Sequence, residues 1–130
     1  MNEAAFTELV EKTRETLQRV AAQYAPAVFA SSLAAEDMVL TDLILRDKLG
    51  IGIFTLETGR LHAETLGMLD RISETYGYEV EQFKPDASAV EQYVRQNGLN
   101  AFYESVDMRK ECCRIRKVEP LNRALAGKQA

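Results

Sequence analysis

Ala27-Val28-Phe29-Ala30-Ser31-Ser32-Leu33-Ala34-Ala35-Glu36-Asp37 decides the fold, together with its counterpart Ile51-Gly52-Ile53-Phe54-Thr55-Leu56-Glu57-Thr58-Gly59-Arg60. Each stretch opens on a short apolar run and passes into small, hydroxyl-bearing or charged residues. Residues 27–30 and 51–56 are apolar at consecutive rather than alternate positions, as strands covered on both faces should be. Between them, Met38 to Arg46 is apolar almost all round and reads as a helix ended near Gly50. Leu61, Thr65, Met68, Leu69, Ile72 and Tyr76 then recur at helical spacing, and Tyr78 to Phe83 alternates as a third strand. Lys84-Pro85-Asp86 is a turn, Asp86 suits the N-cap of a helix over 87–96, and Gly98 suits its end. Strands separated by helices predict an α/β fold: a parallel sheet with flanking helices. Ligands in such sheets sit outside the carboxyl ends of the strands. Two loops lie there, Ser31 to Asp37 and Glu57 to Arg60.

Outward from this centre, residues 3–24 carry Phe6, Leu9, Val10, Leu17, Val20, Ala21 and Tyr24 near helical spacing until Pro26 stops the pattern. This helix packs on the core or serves a subunit contact. At the other end, a basic segment over 109–126 holds adjacent cysteines, Cys112 and Cys113, and is expected to be helical with a break near Pro120. Tyr93, Phe102 and Tyr103 read as packing residues, and His62 as a surface or supporting one. One domain over residues 1–130 accommodates all of this.

Apolar residues make up 46% and charged residues 28%, the balance of an ordinary globular domain. No apolar run approaches the roughly 20 residues that cross a bilayer, so a membrane-spanning helix is excluded. The start, MNEAAFTELVEK, lacks the basic and apolar regions of a secretory signal. With only two cysteines, side by side, that points to a reducing compartment, the cytoplasm. A single histidine rules out a multi-histidine metal site. The net charge of −4 is uneven: residues 1–108 carry a net of −9, and residues 109–130, with seven basic and two acidic side chains, a net of +5. That asymmetry fits an anionic partner, or simply a solvated basic helix. Nucleic acid is disfavoured, because no aromatic residues interleave the basic ones.

The first loop forms an anion cradle if its amides and the hydroxyls of Ser31 and Ser32 face a ligand at a helix start. Alternatively it is a serine N-cap followed by acidic first-turn residues, Glu36 and Asp37. It lacks the GK[ST] ending of a Walker loop. In the second loop, Gly59 permits close backbone approach and Arg60 can fork onto a phosphate or sulfate, although an ordinary β–α turn has the same composition. Cys112 and Cys113 are equally open: a buried pair in a helix, or a metal-binding or redox pair. Arg109, Lys110, Arg114, Arg116 and Lys117 surround them, and cations favour the thiolate that binds metal or reacts. Two thiolates make half of a four-thiolate cluster site.

FASSLAAEDMVL, FTLETGRLHAET and ECCRIRKVEPLNRAL, in this order, resemble the assimilatory adenylyl-sulfate (APS) reductases of the APS/PAPS reductase family. The resemblance runs from about Ala27 to Ala130. It implies an adenine-nucleotide-hydrolase-like fold of the PP-loop superfamily, Rossmann-like in its layers. The implied activity is reduction of APS to sulfite and AMP with electrons from thioredoxin or a glutathione-type donor. It implies substrate binding by Ser31, Ser32, Glu36, Asp37, Thr58, Gly59 and Arg60. Cys112 and Cys113 would supply two ligands of a [4Fe–4S] cluster, with Lys117 supporting between cluster and substrate. Arg60 and Lys117 would steady the charge left on the AMP phosphate. The cysteine pair favours APS over 3′-phosphoadenylyl sulfate (PAPS).

Departures from the family pattern are Glu57 where aspartate is usual and Ala34 where glycine is common. In the family the nucleophilic cysteine and a C-x-x-C pair follow further on, so the chain is expected to be a truncated form without a catalytic cysteine of its own. The alternatives are a PAPS reductase, another PP-loop enzyme (although an SGG-x-D-S loop is missing), or a non-catalytic nucleotide- or anion-binding module. In that last case zinc on the two cysteines and a second chain is one variant. Homo-oligomers fit any of these readings.

Overall fold

The structure is a computed structural model that describes residues 2–100 and 103–130. Three short strands, β1 (Val28–Ala30), β2 (Gly52–Leu56) and β3 (Glu81–Phe83), form a parallel sheet in the order β1-β2-β3. Val28 to Ala30 pair with Gly52 to Phe54, and Phe54 to Leu56 with Glu81 to Phe83. Helices α1 (Glu3–Gln23), α2 (Ala35–Arg46), α3 (Ala63–Tyr76) and α4 (Ala87–Asn97) alternate with the strands. After α4 come α5 (Val106–Cys113), a π-helical turn over Arg114–Val118, and α6 (Glu119–Leu125).

The central strand β2 is the buried one, with Ile53, Phe54 and Thr55 inside, whereas β1 and β3 are half-buried to exposed, less covered than their place in the sequence pattern led one to expect. Ile53 of β2, Ile44 of α2 and Ile72 of α3 are each 1% exposed and meet in one core with Ala27, Leu33, Ile51 and Val80. Phe54 stacks edge-on against Phe83, with ring centres 5.6 Å apart, which ties β2 to β3. A second, smaller cluster joins Tyr93 of α4 to Ile115 of the π turn, with Met108 and Cys112 against it. This cluster fastens the cysteine segment to the domain.

Several element bounds differ from the sequence pattern. α2 starts at Ala35, so Glu36 and Asp37 stand in its first turn rather than in a loop. The third strand is confined to 81–83, because the Tyr78 hydroxyl accepts the Ile53 amide at 2.9 Å and takes the bond that a longer strand would receive. The segment at Pro120 is continuous, and the irregularity lies upstream. Proline has no N–H to give to the carbonyl four residues back and its ring crowds that carbonyl. The preceding turn is widened instead, and the Glu119 amide reaches five residues back to Arg114 O. Pro120 itself lies in the first turn of α6, where its missing donor costs little. Asp86 caps α4 as expected, accepting from the Ser88 and Ala89 amides.

Only the second half of α1 meets the core, through Leu17, Val20 and Ala21, while Phe6 and Leu9 remain exposed. At the chain's other end, the Gln129 amide donates to Pro26 O and the Val28 amide to Ala130 O, both at 2.9 Å, so residues 129–130 run along the outer edge of β1.

Candidate active site

Both loops at the carboxyl ends of β1 and β2 are built by their own hydrogen bonds. Ser31 is 5% exposed: its amide donates to Phe54 O at 2.8 Å, and its carbonyl accepts from Thr55 Oγ1 at 2.8 Å. Its hydroxyl accepts the Leu33 amide at 3.0 Å, which helps hold Leu33 in a left-handed conformation at φ 64°. Asp37 reaches back from the first turn of α2 and accepts from both the Ser32 amide, at 2.7 Å, and the Ser32 hydroxyl, at 2.6 Å. The N-cap of α2 is therefore Ala34, without a side-chain cap, and the serines bond within the loop instead of capping the helix.

In the second loop the Glu57 carboxylate accepts the Gly59 amide at 2.9 Å, and Thr58 Oγ1 accepts the Arg60 amide at 3.2 Å. Gly59 sits at φ +79°, a conformation glycine adopts without strain. Arg60 donates to Asn100 Oδ1 at 3.0 Å. His62 is the exposed N-cap of α3 and its side chain makes no cap bond.

The cysteine segment closes over these loops. Cys112 and Cys113 are half-buried free thiols at the end of α5. Tyr93, 5% exposed, donates its hydroxyl to Met108 O at 2.8 Å and pins α5 to α4. Burial, and then the nearness of Cys112, push that hydroxyl above the usual tyrosine range. Arg114 pairs with Glu111 through two nitrogens and holds its carboxyl below the usual range, an exposed pair of small energetic weight.

Arg116 differs from its neighbours. It is 7% exposed, and its guanidinium donates to Thr58 O at 2.7 Å across 58 positions of sequence. Sequence reasoning counted Arg116 as one cation among several. The available signal was its spacing: three and four residues beyond Cys112 fall on one helical face, and Ile115 and Arg116 are the two buried positions there.

Two adjoining cavities result. One, of about 320 Å³, lies between Ser31, Ser32, Phe54, Leu56, Thr58 and Lys117, near the lower end of the roughly 300–1,000 Å³ usual for small-molecule sites. The other, of about 230 Å³, is lined by Thr58, Arg60, Arg109, Arg116, Lys117 and both cysteines. Thr58 and Lys117 belong to both walls. The second cavity has four cations and no carboxylate on its walls, a field suited to an anion. Of the residues singled out by sequence, Ser31, Ser32, Thr58, Arg60, Lys117, Cys112 and Cys113 line these cavities. Asp37, Gly59 and Glu57 shape the loops through hydrogen bonds within them, and Glu36 is exposed on the first turn of α2. Tyr93 packs as expected, Tyr103 is 77% exposed instead, and Phe102 lies outside the described residues. No group of three or more potential ligands for a metal ion occurs among the described residues, and no described helix is long and apolar enough to cross a membrane.

The fold and site define a parallel α/β protein with a cationic, thiol-lined cleft at the carboxyl ends of its strands. Comparison with known proteins sharpens that class. Residues 26–130 match the phosphoadenosine phosphosulfate reductase domain, and the chain belongs to that family. It is 62% identical over 117 residues to an adenosine 5'-phosphosulfate reductase of Burkholderia cepacia, covering 90% of this chain and 47% of that protein. It is 53% identical over 130 residues to one of Neisseria meningitidis serogroup A, covering 99% and 53%. It is 50% identical over 116 residues to one of Allochromatium vinosum, covering 89% and 45%. The chain thus spans about half the length of these curated relatives. A crystal structure of PAPS reductase from Candida auris superposes with a TM-score of 0.71 at 17% identity, covering 96% of this chain and 63% of that one. That likeness shows that the two chains share this parallel α/β fold.

Proposed function

We propose that this chain is the nucleotide-binding half of an APS reductase, an oxidoreductase of assimilatory sulfate reduction. The observation that carries the reading is the pair of adjoining cavities. One is bounded by the serine loop, the other by four cations and two thiols, and Thr58 and Lys117 are common to both. The names of the relatives at 50–62% identity support APS rather than PAPS as substrate.

In this reading the adenylate lies along Ser31, Ser32 and Thr58, with Asp37, Gly59 and Glu36 supporting the loops. The sulfate end lies toward Arg60 and Lys117. A cysteine thiolate from outside these 130 residues attacks the sulfur. The S–O bond breaks, its electron pair stays on the AMP phosphate, and an S-sulfocysteine forms. A donor thiol, of thioredoxin or a glutathione-type protein, then attacks the cysteine sulfur. Sulfite leaves with the S–S electron pair, and the resulting disulfide is the oxidised product. Arg60 and Lys117 steady the phosphate charge as the S–O bond breaks.

Cys112 and Cys113 suit half of a four-thiolate set: both are free, half-buried and set among cations that offset a cluster's negative charge. They would hold one side of a [4Fe–4S] cluster, the remaining two ligands coming from outside these residues. When bound, such a cluster supplies a redox-tunable charge beside the substrate. Thiol-driven reduction suits a reducing compartment, and the cytoplasm is the location that goes with this reading.

The test is sulfite release by the anaerobically purified full-length protein, with APS and with PAPS and thioredoxin as donor. APS turnover together with loss of the iron chromophore in Cys112→Ser is expected. Absence of sulfite from both substrates, or an unchanged spectrum in Cys112→Ser, refutes the reading.

A further inference from the structure

We infer that Arg116 is a positioning residue that couples the Thr58–Gly59 turn to the cysteine segment, so that a nucleotide on the turn alters the reactivity of Cys112 and Cys113. This rests on the nucleotide-binding reading above.

Three observations converge on it. First, the charge is buried without a counter-charge. In the same segment Arg114 pairs with Glu111 and Arg123 with Glu119, both exposed pairs. Arg116 is more deeply buried than either and has no carboxylate partner among the described residues. A guanidinium is costly to bury without hydrogen bonds, and Arg116 gives its bond to the carbonyl of Thr58, a residue common to both cavities. Second, the turn is shaped to receive it. A Cβ on Gly59 would stand 3.1 Å from Arg116 Nη1, so the missing side chain leaves the space in which the guanidinium lies. Third, the segment is fixed on its other side. Tyr93 holds Met108 O, and Ile115, next to Arg116, is buried against Tyr93. A shift of the turn therefore reaches the cysteines through Arg116 rather than being absorbed in a loose helix.

Arg116 touches the turn through its backbone carbonyl, and a ligand acting on Thr58 or the Gly59 amide changes what that carbonyl offers. The link runs in both directions, as any coupling between two sites must.

The experiment measures alkylation rates of Cys112 and Cys113 separately, by iodoacetamide and peptide mass spectrometry, on the iron-free protein with and without AMP. Calorimetry follows AMP binding in parallel. In the unaltered protein AMP is expected to change at least one rate by about fivefold, the lower end of ordinary coupling between sites. Arg116→Met is expected to lose the effect at AMP concentrations that calorimetry shows to saturate that variant, with partial rescue by Arg116→Lys, which keeps the charge without the fork. If Arg116→Met melts below the assay temperature, Arg116→Lys carries the comparison. Gly59→Ala, which crowds the same contact from the turn, is expected to diminish the effect too. A protein that binds AMP with unchanged thiol rates overturns the coupling, as does a full AMP effect in either arginine variant. Failure of the unaltered protein to bind AMP overturns the nucleotide reading itself, and the coupling with it.

Discussion

Replacing Thr55 by valine tests how the serine loop is held. Thr55 is 3% exposed on β2, and its hydroxyl donates to the carbonyl of Ser31, itself 5% exposed. Valine keeps the branched shape and the strand preference, so neither a cavity nor a loss of β-propensity is introduced. What disappears is the donor, leaving a buried carbonyl short of a partner at a cost of about 1–3 kcal/mol. For a chain of this size that lowers the melting temperature by roughly 3–10 °C. Thr55→Ser is the contrast: it keeps the hydroxyl and deletes a methyl group, a loss of about 1 kcal/mol. Urea unfolding followed by circular dichroism ranks the three proteins, and AMP titration reads the loop. The valine variant is expected to be the less stable of the two and to bind AMP several-fold more weakly. A valine variant within about 0.5 kcal/mol of the parent, the usual spread of inconsequential substitutions, refutes the idea that this bond holds the loop.

Two further perturbations probe the packing of α2 on α3 and the serine loop. Tyr76 donates to Asp42 at 2.6 Å and, ahead of Arg46, holds that carboxyl below its ordinary value. A depressed carboxyl contributes stability above its unfolded value near 3.8 and loses it as pH falls through the folded value. Tyr76→Phe is therefore expected to be destabilised near neutral pH, by about 1 kcal/mol given partial exposure, with the gap to the parent closing as pH drops below about 4; a gap that is the same at pH 7 and pH 3 in urea titrations refutes the assignment. Asp37→Asn weakens both bonds to Ser32 and removes a negative charge from the first turn of α2, so a loss of about 1 kcal/mol and weaker AMP binding are expected, and unaltered calorimetry would show that the loop does not depend on Asp37.

The buried parts of the fold were readable because burial leaves a dense sequence signal. Residues 28–30 and 52–56 are apolar apart from Thr55, and the helical spacing of Met68, Leu69, Ile72 and Tyr76 marks the face that meets the core. The third strand was overread because Tyr78 and Val80 look like strand residues, while a side-chain hydroxyl supplies the bond to Ile53 that backbone would have made. Around the site, residue types were legible and their partners were not. Two serines followed by acids suit an N-cap as well as a cradle, and the structure shows Asp37 folded back onto Ser32 instead. Arg116 is the clearest case. Seven cations lie between 109 and 130, and composition cannot say which one is buried. That depends on Thr58, more than fifty residues away in sequence, and on a widened turn that no local propensity announces.

The widened turn also sets a phase. Along an ordinary helix each residue advances about 100° around the axis, and a π turn takes in an extra residue within the same sweep. The screw carrying Cys112 and Cys113 and the screw carrying Leu121 and Ala124 are thereby offset from one another. That offset allows one continuous segment to show its thiols to the cationic cavity, lay Lys117 across the boundary between the two cavities, and still bury Pro120 and Ala124. Wound as a regular helix, the same residues would turn the two halves about 100° relative to one another. The spacing from Cys113 to Pro120 is therefore constrained by angle as much as by length.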